Sequence, residues 1–243
     1  GICLHQVGGL YLAISSFFTV GLPLQTRAGQ NPNGRCLFRL AFSHDGMHFR
    51  HPAGRPAFLE LGQPGDFDAG FATSMSNLVE HGDDQLFYYS GGRYAHGWCI
   101  NPNFSMRRDI ALEDQRRMYT MGLARIKRDR FASLSATYKG RVDVEIGPRQ
   151  GERLLINARC PRGWVRFALA EQRSPLHVEP PKGESLPGFS FDDCVPFTGD
   201  AVRHAVQFKN ASVGSIPADK SLILRLEIAA GDVYAYEWAE DGR

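Results

Sequence analysis

Apolar residues in this chain come in short runs that alternate with polar ones, and Gly, Pro, Asn and Asp clusters separate the runs. Alternation with a period of two places one side chain in and the next out, which is the pattern of half-buried strands and not of amphipathic helices. Candidate strands read from it are Tyr11–Phe18, Cys36–Phe42, Met47–His51, Ser76–Glu80, Gln85–Ser90, Met118–Lys127, Leu154–Ala158, Gly163–Ala170, Val202–Phe208, Ser221–Ile228 and Val233–Trp238. One stretch, Asp109–Arg117, has helical character: either Asp109 caps a turn or two, or the stretch is a charged loop insertion. The expected fold class is all-β.

The 243 residues, 43% of them hydrophobic, suffice for one large domain or two small ones. With 28 basic and 26 acidic residues the formal charge is +2, which gives no electrostatic case for nucleic acid or a membrane surface. The basic clusters in "MRRDIALEDQRRM" and "ARIKRDR" are interleaved with acids, as on a solvated, ion-paired face. Cys3, Cys36, Cys99, Cys160 and Cys194 lack the short spacings of a zinc or redox motif and read as scattered buried thiols, with one or two long-range disulfides as the alternative. No metal or cofactor is expected. The apolar segment "YLAISSFFTVGLPL" has no basic residue before it and is too short and too polar for a membrane span, so it reads as a buried strand. The sequons Asn103-Phe104-Ser105 and Asn210-Ala211-Ser212 are of the kind a secreted chain carries, without assigning a location.

Within "LFRLAFSHDGMHFRH", the pair Asp45-Gly46 predicts a tight turn: Gly46 tolerates positive φ and Asp45 hydrogen-bonds its own backbone. Asp45 is therefore read as structural. The texture changes near Ser135–Gly140, where hairpins with aromatic ends give way to "LLINAR", "WVRFALAEQ" and "LILRLEIAAGDVYAYEWA" with longer polar connections. A boundary there gives domains 1–138 and 139–243, the second of a size that suits a β-sandwich.

Several of these segments resemble known proteins. "AFSHDGMHFRHPAGRPAFLELGQPGDFDAG" resembles the segment of five-bladed β-propeller glycoside hydrolases in which a Ser-x-Asp-Gly hairpin leads into a Phe-Asp-x-Gly connection. "DQLFYYSGGRYAHG" is similar to the next blade's strand, "MGLARIKRDRFASLSA" to the stretch that closes the propeller, and "PGFSFDDCVPFTGDAVRHAVQF" to part of an appended sandwich. The resemblance runs from about Gly9 to Trp238 and implies a partial β-propeller followed by a β-sandwich, acting on carbohydrate. A blade takes roughly 45–60 residues, so residues 1–138 supply about two to three blades and a five-bladed ring does not close from them. The expectation is a chain lacking its early blades, whose open edges a protein partner would complete. Asn31-Pro32-Asn33-Gly34 lacks the aspartate of the invertase-like Asn-Asp-Pro-Asn-Gly motif and reads as a turn.

Glycoside hydrolysis needs one carboxyl group to protonate the leaving oxygen and a second to activate water or attack. Of Asp45, Glu60, Asp66, Asp68, Glu80 and Asp83, Asp68 stands out: Phe67 and Phe71 bracket it, and Ala69 and Gly70 leave room beside its carboxylate. After Gly91-Gly92, Arg93, Tyr94 and His96 would emerge on a rim loop, with Trp98 close by. Asp68 and His96 are the candidate catalytic residues; Arg93, Tyr94 and Trp98 are the candidate sugar contacts, Tyr94 by stacking and Arg93 by hydrogen bonds. Arg125, Arg128 and Asp129 read as a structural arginine–aspartate cluster, and Asp192, Asp193 and Asp200 as turn caps in preference to a calcium site. The function that follows is glycoside-hydrolase-like hydrolysis or binding of carbohydrate, the alternative being a non-catalytic binding, structural or assembly module.

Overall fold

The computed structural model describes residues 2–7, 9–20, 34–96, 111, 113, 119–172 and 184–241. They form two compact units, 1–125 and 126–243. The fold is all-β: a curled sheet of blade-like meanders, then a second sheet, consistent with a partial propeller followed by a sandwich. Among the described residues no helix is long and apolar enough to cross a membrane.

In the first unit, β1 (Ile2–Val7), β2 (Leu10–Val20), β3 (Gly34–Ser43) and β4 (Ala57–Leu59) pair antiparallel in chain order. A second group follows: β5 (Phe71–Met75) and β6 (Val79–His81) both pair with β7 (Asp84–Gly92), and β8 (Thr120–Lys127) lies along β7's other side. A single parallel pairing, Cys36 with Phe71, joins the two groups. Inward residues of alternating strands, among them Leu12, Ile14, Phe38, Phe71, Phe87 and Tyr89, make this unit's core.

The Asp45-Gly46 segment is a wider loop than the tight two-residue turn expected. It is closed by Phe42 and Arg50, which exchange both backbone hydrogen bonds at 2.8 Å. Asp45 organises it: Oδ1 accepts from the backbone of Met47 and His48 and from the Ser43 hydroxyl, and Oδ2 lies 2.7 Å from His48 Nδ1. The His48 backbone donor, followed by its ring, holds this carboxyl well below the usual carboxylate range. Gly46 has the positive φ, 72°, that the sequence called for.

In the second unit β11 (Phe197–Ala205), β10 (Arg153–Glu171), β12 (Ser221–Ala239) and β9 (Leu134–Pro148) pair in that order. The inward face of β10 reads Leu154, Ile156, Ala158, Cys160 and then Val165, Phe167, Leu169. The odd step from 160 to 165 is made by a bulge, since the register with β12 slips between Arg159 and Trp164. Opposite it, Ala230 takes a left-handed φ of 47°. Four residues, Cys160–Gly163, thus stand opposite two, Ala230 and Gly231; both strands change phase there, and their two halves share one core. Each of them was expected as two strands. Cys3, Cys36, Cys160 and Cys194 are free and buried, and Cys99 lies outside the described residues.

The outer face of this sheet carries a charged row. Glu227 on β12 is directly opposite Arg166 on β10 and Arg141 on β9. Its side chain is wholly buried, and burial alone would raise its pKa. Hydrogen bonds from Arg166, Arg141 and Lys139 outweigh that and bring it from 4.5 down to about 2. A carboxyl group depressed on folding stabilises the fold above its unfolded pKa, and loses that contribution as pH falls through the folded value. Acid unfolding followed by circular dichroism should therefore show stability falling between about pH 4.5 and 2 in the parent. Glu227→Gln should be less stable at pH 7 and flatter across that window; an unchanged acid limb in the variant would refute the assignment.

Candidate functional site

Three chain segments converge at one end of the first unit's sheet. β3 and β5 start there, since they run parallel through Cys36 and Phe71, and β7 ends there, antiparallel to β5 through Phe71 and Gly92. Gly34 and His96 exchange backbone hydrogen bonds at 3.2 and 2.9 Å, and the Gly70 N–H donates to the Gly92 carbonyl at 2.8 Å. The chain following Gly92 is thereby pinned across the start of β3.

The convergence frames a cleft of about 630 Å³, lined by Arg35, Gly62, Gly65, Gly70, Arg93 and Tyr94 among others. Its wall carries two guanidinium groups and a phenol. Arg35 Nη2 donates to the Ala69 carbonyl at 3.3 Å, which fixes it beside the loop that carries Asp68.

Asp68 is buried behind this cleft and accepts a hydrogen bond from the Tyr89 hydroxyl at 2.6 Å. Burial, with the Asp68 carboxylate beside it, raises the Tyr89 pKa, so the phenol stays protonated and donating. Asp66 is a neighbour. A Cβ placed on Gly62 would sit 2.3 Å from Asp68 Oδ1 and 2.9 Å from Asp66 Oδ2, so both carboxyl groups crowd the same glycine. Asp66 Oδ2 also accepts the Gln63 N–H at 2.7 Å.

Of the residues singled out from sequence, Arg93 and Tyr94 share the cleft and Asp68 lies behind it. His96 follows the rim loop, but its ring is held edge-on against Phe18 at 5.2 Å and Phe71 at 6.1 Å. Trp98, residues 31–33 of the Asn-Pro-Asn-Gly turn, the Asn103 sequon and most of Asp109–Arg117 lie outside the described residues. Arg125 pairs with Asp84 at 3.8 Å. Asp193 caps its own turn through Ser190, and Asp200 is held by Arg130 at 2.5 Å. No group of three or more metal-ligating side chains occurs among the described residues. Sequence reasoning missed Arg35 as a wall residue and Asp66 as the neighbour of Asp68. For Asp66 the Asp-x-Asp spacing was the available signal; Arg35 is distant in sequence and carried none.

No family model matches the sequence, and no curated protein is significantly similar to it. Among solved structures the chain is similar to a glycoside hydrolase family 43 arabinoxylan arabinofuranohydrolase from Bacillus subtilis, at 12% identity and a TM-score of 0.24, over 98% of this chain and 53% of that one. It is also similar to a GH32 β-fructofuranosidase from Bombyx mori, at 9% identity and a TM-score of 0.24, over 99% and 55%. The chain spans about half the length of these structures. Likeness at this level assigns no activity.

The tightest constraint on the cleft is at Gly70, where a Cβ would lie 1.9 Å from the backbone carbon and 2.0 Å from the carbonyl oxygen of Tyr94. Backbone cannot step aside as a flexible side chain can. Gly70→Ala should cost about 1–3 kcal/mol in urea denaturation, as overpacking does. A variant as stable as the parent would mean that Tyr94 does not cross here.

Proposed function

We propose that this chain is a carbohydrate-active, glycoside-hydrolase-like protein whose first unit holds saccharide in the Arg35–Arg93–Tyr94 cleft. The observation that carries the reading is the placement of Arg93 and Tyr94 together on a cleft of about 630 Å³, a volume within the range of small-ligand sites. A phenol ring offers a flat apolar face to a pyranose, and guanidinium forks donate to hydroxyl or carboxylate oxygens.

Binding is better supported than turnover. Asp68 is buried and its Oδ2 is taken up by the Tyr89 hydroxyl, which leaves it less open to a bound glycoside than the cleft wall. The crowding of Asp66 and Asp68 on Gly62 favours a second, hydrolytic reading, in which two adjacent carboxyl groups act on a bound glycoside with His96 as the acid–base partner. Glycan-array screening followed by titration calorimetry tests both. Tyr94→Ala and Arg93→Ala should each weaken the best glycan roughly tenfold, the equivalent of one stacking or hydrogen-bonding contact. Undiminished binding in both variants would remove the cleft. Release of reducing sugar that survives Asp68→Asn would remove the hydrolytic reading and leave the binding one standing.

A further inference from the structure

The charged row in the second unit has a composition that its own neutralisation does not require. Glu227 Oε2 accepts from Arg141 Nε at 2.7 Å and Nη2 at 2.6 Å, and lies 3.2 Å from Lys139 Nζ. Oε1 accepts from Arg166 Nη2 at 2.5 Å and Nε at 3.2 Å. One carboxylate is thus shared by three cations. A single cation would neutralise it, and three held this close repel one another.

Aromatic rings fix the cations in place. The Arg166 guanidinium lies over Trp164 at 4.8 Å and over Phe191 at 5.8 Å; Arg141 lies over Phe191 at 5.1 Å, and Lys139 over Trp164 at 5.5 Å. Exposure grades outward from the anion: Glu227 is 0% exposed, Arg166 25%, Lys139 54% and Arg141 64%. The negative charge is therefore at the base and the positive charges form the rim. The acid nearest that rim is Asp192, 97% exposed and 3.7 Å from Arg166, where solvent screens it. One row along, Asp143 and Arg225 form a pair of their own at 3.7 Å. The excess cations stand on low-dielectric aromatic walls, and because Glu227 takes the Nε–Nη2 edge of both arginines, a second oxyanion would meet their remaining N–H groups and the Lys139 ammonium.

We propose that Lys139, Arg141 and Arg166, preorganised by Glu227, form an oxyanion site for an acidic saccharide, one bearing uronate carboxylates or sulfate esters. The saccharide part rests on the carbohydrate reading of the chain; the oxyanion part rests on the row alone. Glu227 is a positioning residue, since its carboxylate is fully covered by its own partners.

The test is titration calorimetry of the full chain with an oligogalacturonate, a heparin-derived hexasaccharide, neutral cellohexaose and inorganic sulfate, each at two salt concentrations. Both acidic oligosaccharides should bind, more weakly at high salt, and at least tenfold more weakly to the Lys139→Ala/Arg141→Ala variant. Neutral cellohexaose carries no oxyanion, so its binding reports on the Arg35–Arg93–Tyr94 cleft alone, and failure of the cleft and failure of this site are read separately. If the double variant melts early, Lys139→Ala alone serves, with several-fold weakening expected. Acidic oligosaccharides that ignore the parent, or that bind the variants equally, overturn the site. Inorganic sulfate binding as tightly as the oligosaccharides overturns the saccharide assignment.

Discussion

The first unit depends on a close approach of backbones that only glycine permits. Among the described residues its two groups of strands are joined through backbone by one parallel pairing, Cys36 with Phe71, and by the bridge between Gly34 and His96, which is little to hold two meanders together. Glycines at the seam supply the rest. A Cβ on Gly92 would sit 2.1 Å from the Phe71 ring, and one on Gly91 2.7 Å from the Asp68 side chain. With no side chains there, Phe71 packs flat against β7 and becomes almost fully buried, and the Asp68 loop closes over the same strand. The cleft is a by-product of that seam: the chain leaving β7 must turn across the start of β3, and Arg93 and Tyr94 are carried to its wall.

Much of this was readable in the residues. Tyr11–Phe18, Cys36–Phe42 and Gln85–Ser90 fall within β2, β3 and β7 because each is a short apolar-rich run with buried residues that the core holds. Reading failed where a strand's pattern changes phase. The sequence divides β10 at Arg159–Arg162 and β12 at Ala229–Asp232, where polar residues, proline or glycine look like a turn but form a bulge within one strand. β9 was not recognised as a strand, since "LSATYKGRVDVEIGP" carries charges on its outward face and a glycine at its middle, and its texture was taken for a domain connection. β1 escaped because Ile2 and Leu4 are outward and exposed, the reverse of the usual pattern.

At the candidate site, sequence reasoning found side chains that sit near one another along the chain and missed those brought in by topology. Arg93 and Tyr94 are neighbours on one rim loop, and proximity in sequence was enough. Arg35 reaches the cleft because a parallel pairing sets the start of β3 beside that of β5, and no local pattern encodes a pairing between residues so far apart. Glu227 is a similar case. In "LRLEI" Arg225 and Glu227 alternate with apolar residues, the pattern of an outward strand face; the burial of Glu227 is caused by arginines from two other strands at the same register.

The carboxylates of this chain show how surroundings divide one functional group among different tasks. Asp45 is exposed and closes a loop by accepting local N–H donors, so water can replace much of what it loses on unfolding. Glu227 is buried and bonded by charged donors from neighbouring strands, so its loss would leave three cations facing one another with nothing between them. Asp68 is buried too, but its partner is a neutral phenol. Asp68 thus ties its loop to β7 through one hydrogen bond, whereas Glu227 ties three strands of the second sheet together through charged donors. The two proposed surfaces differ in the same way: one stands over a carboxylate shared by three cations, the other beside a carboxyl group bonded by a tyrosine.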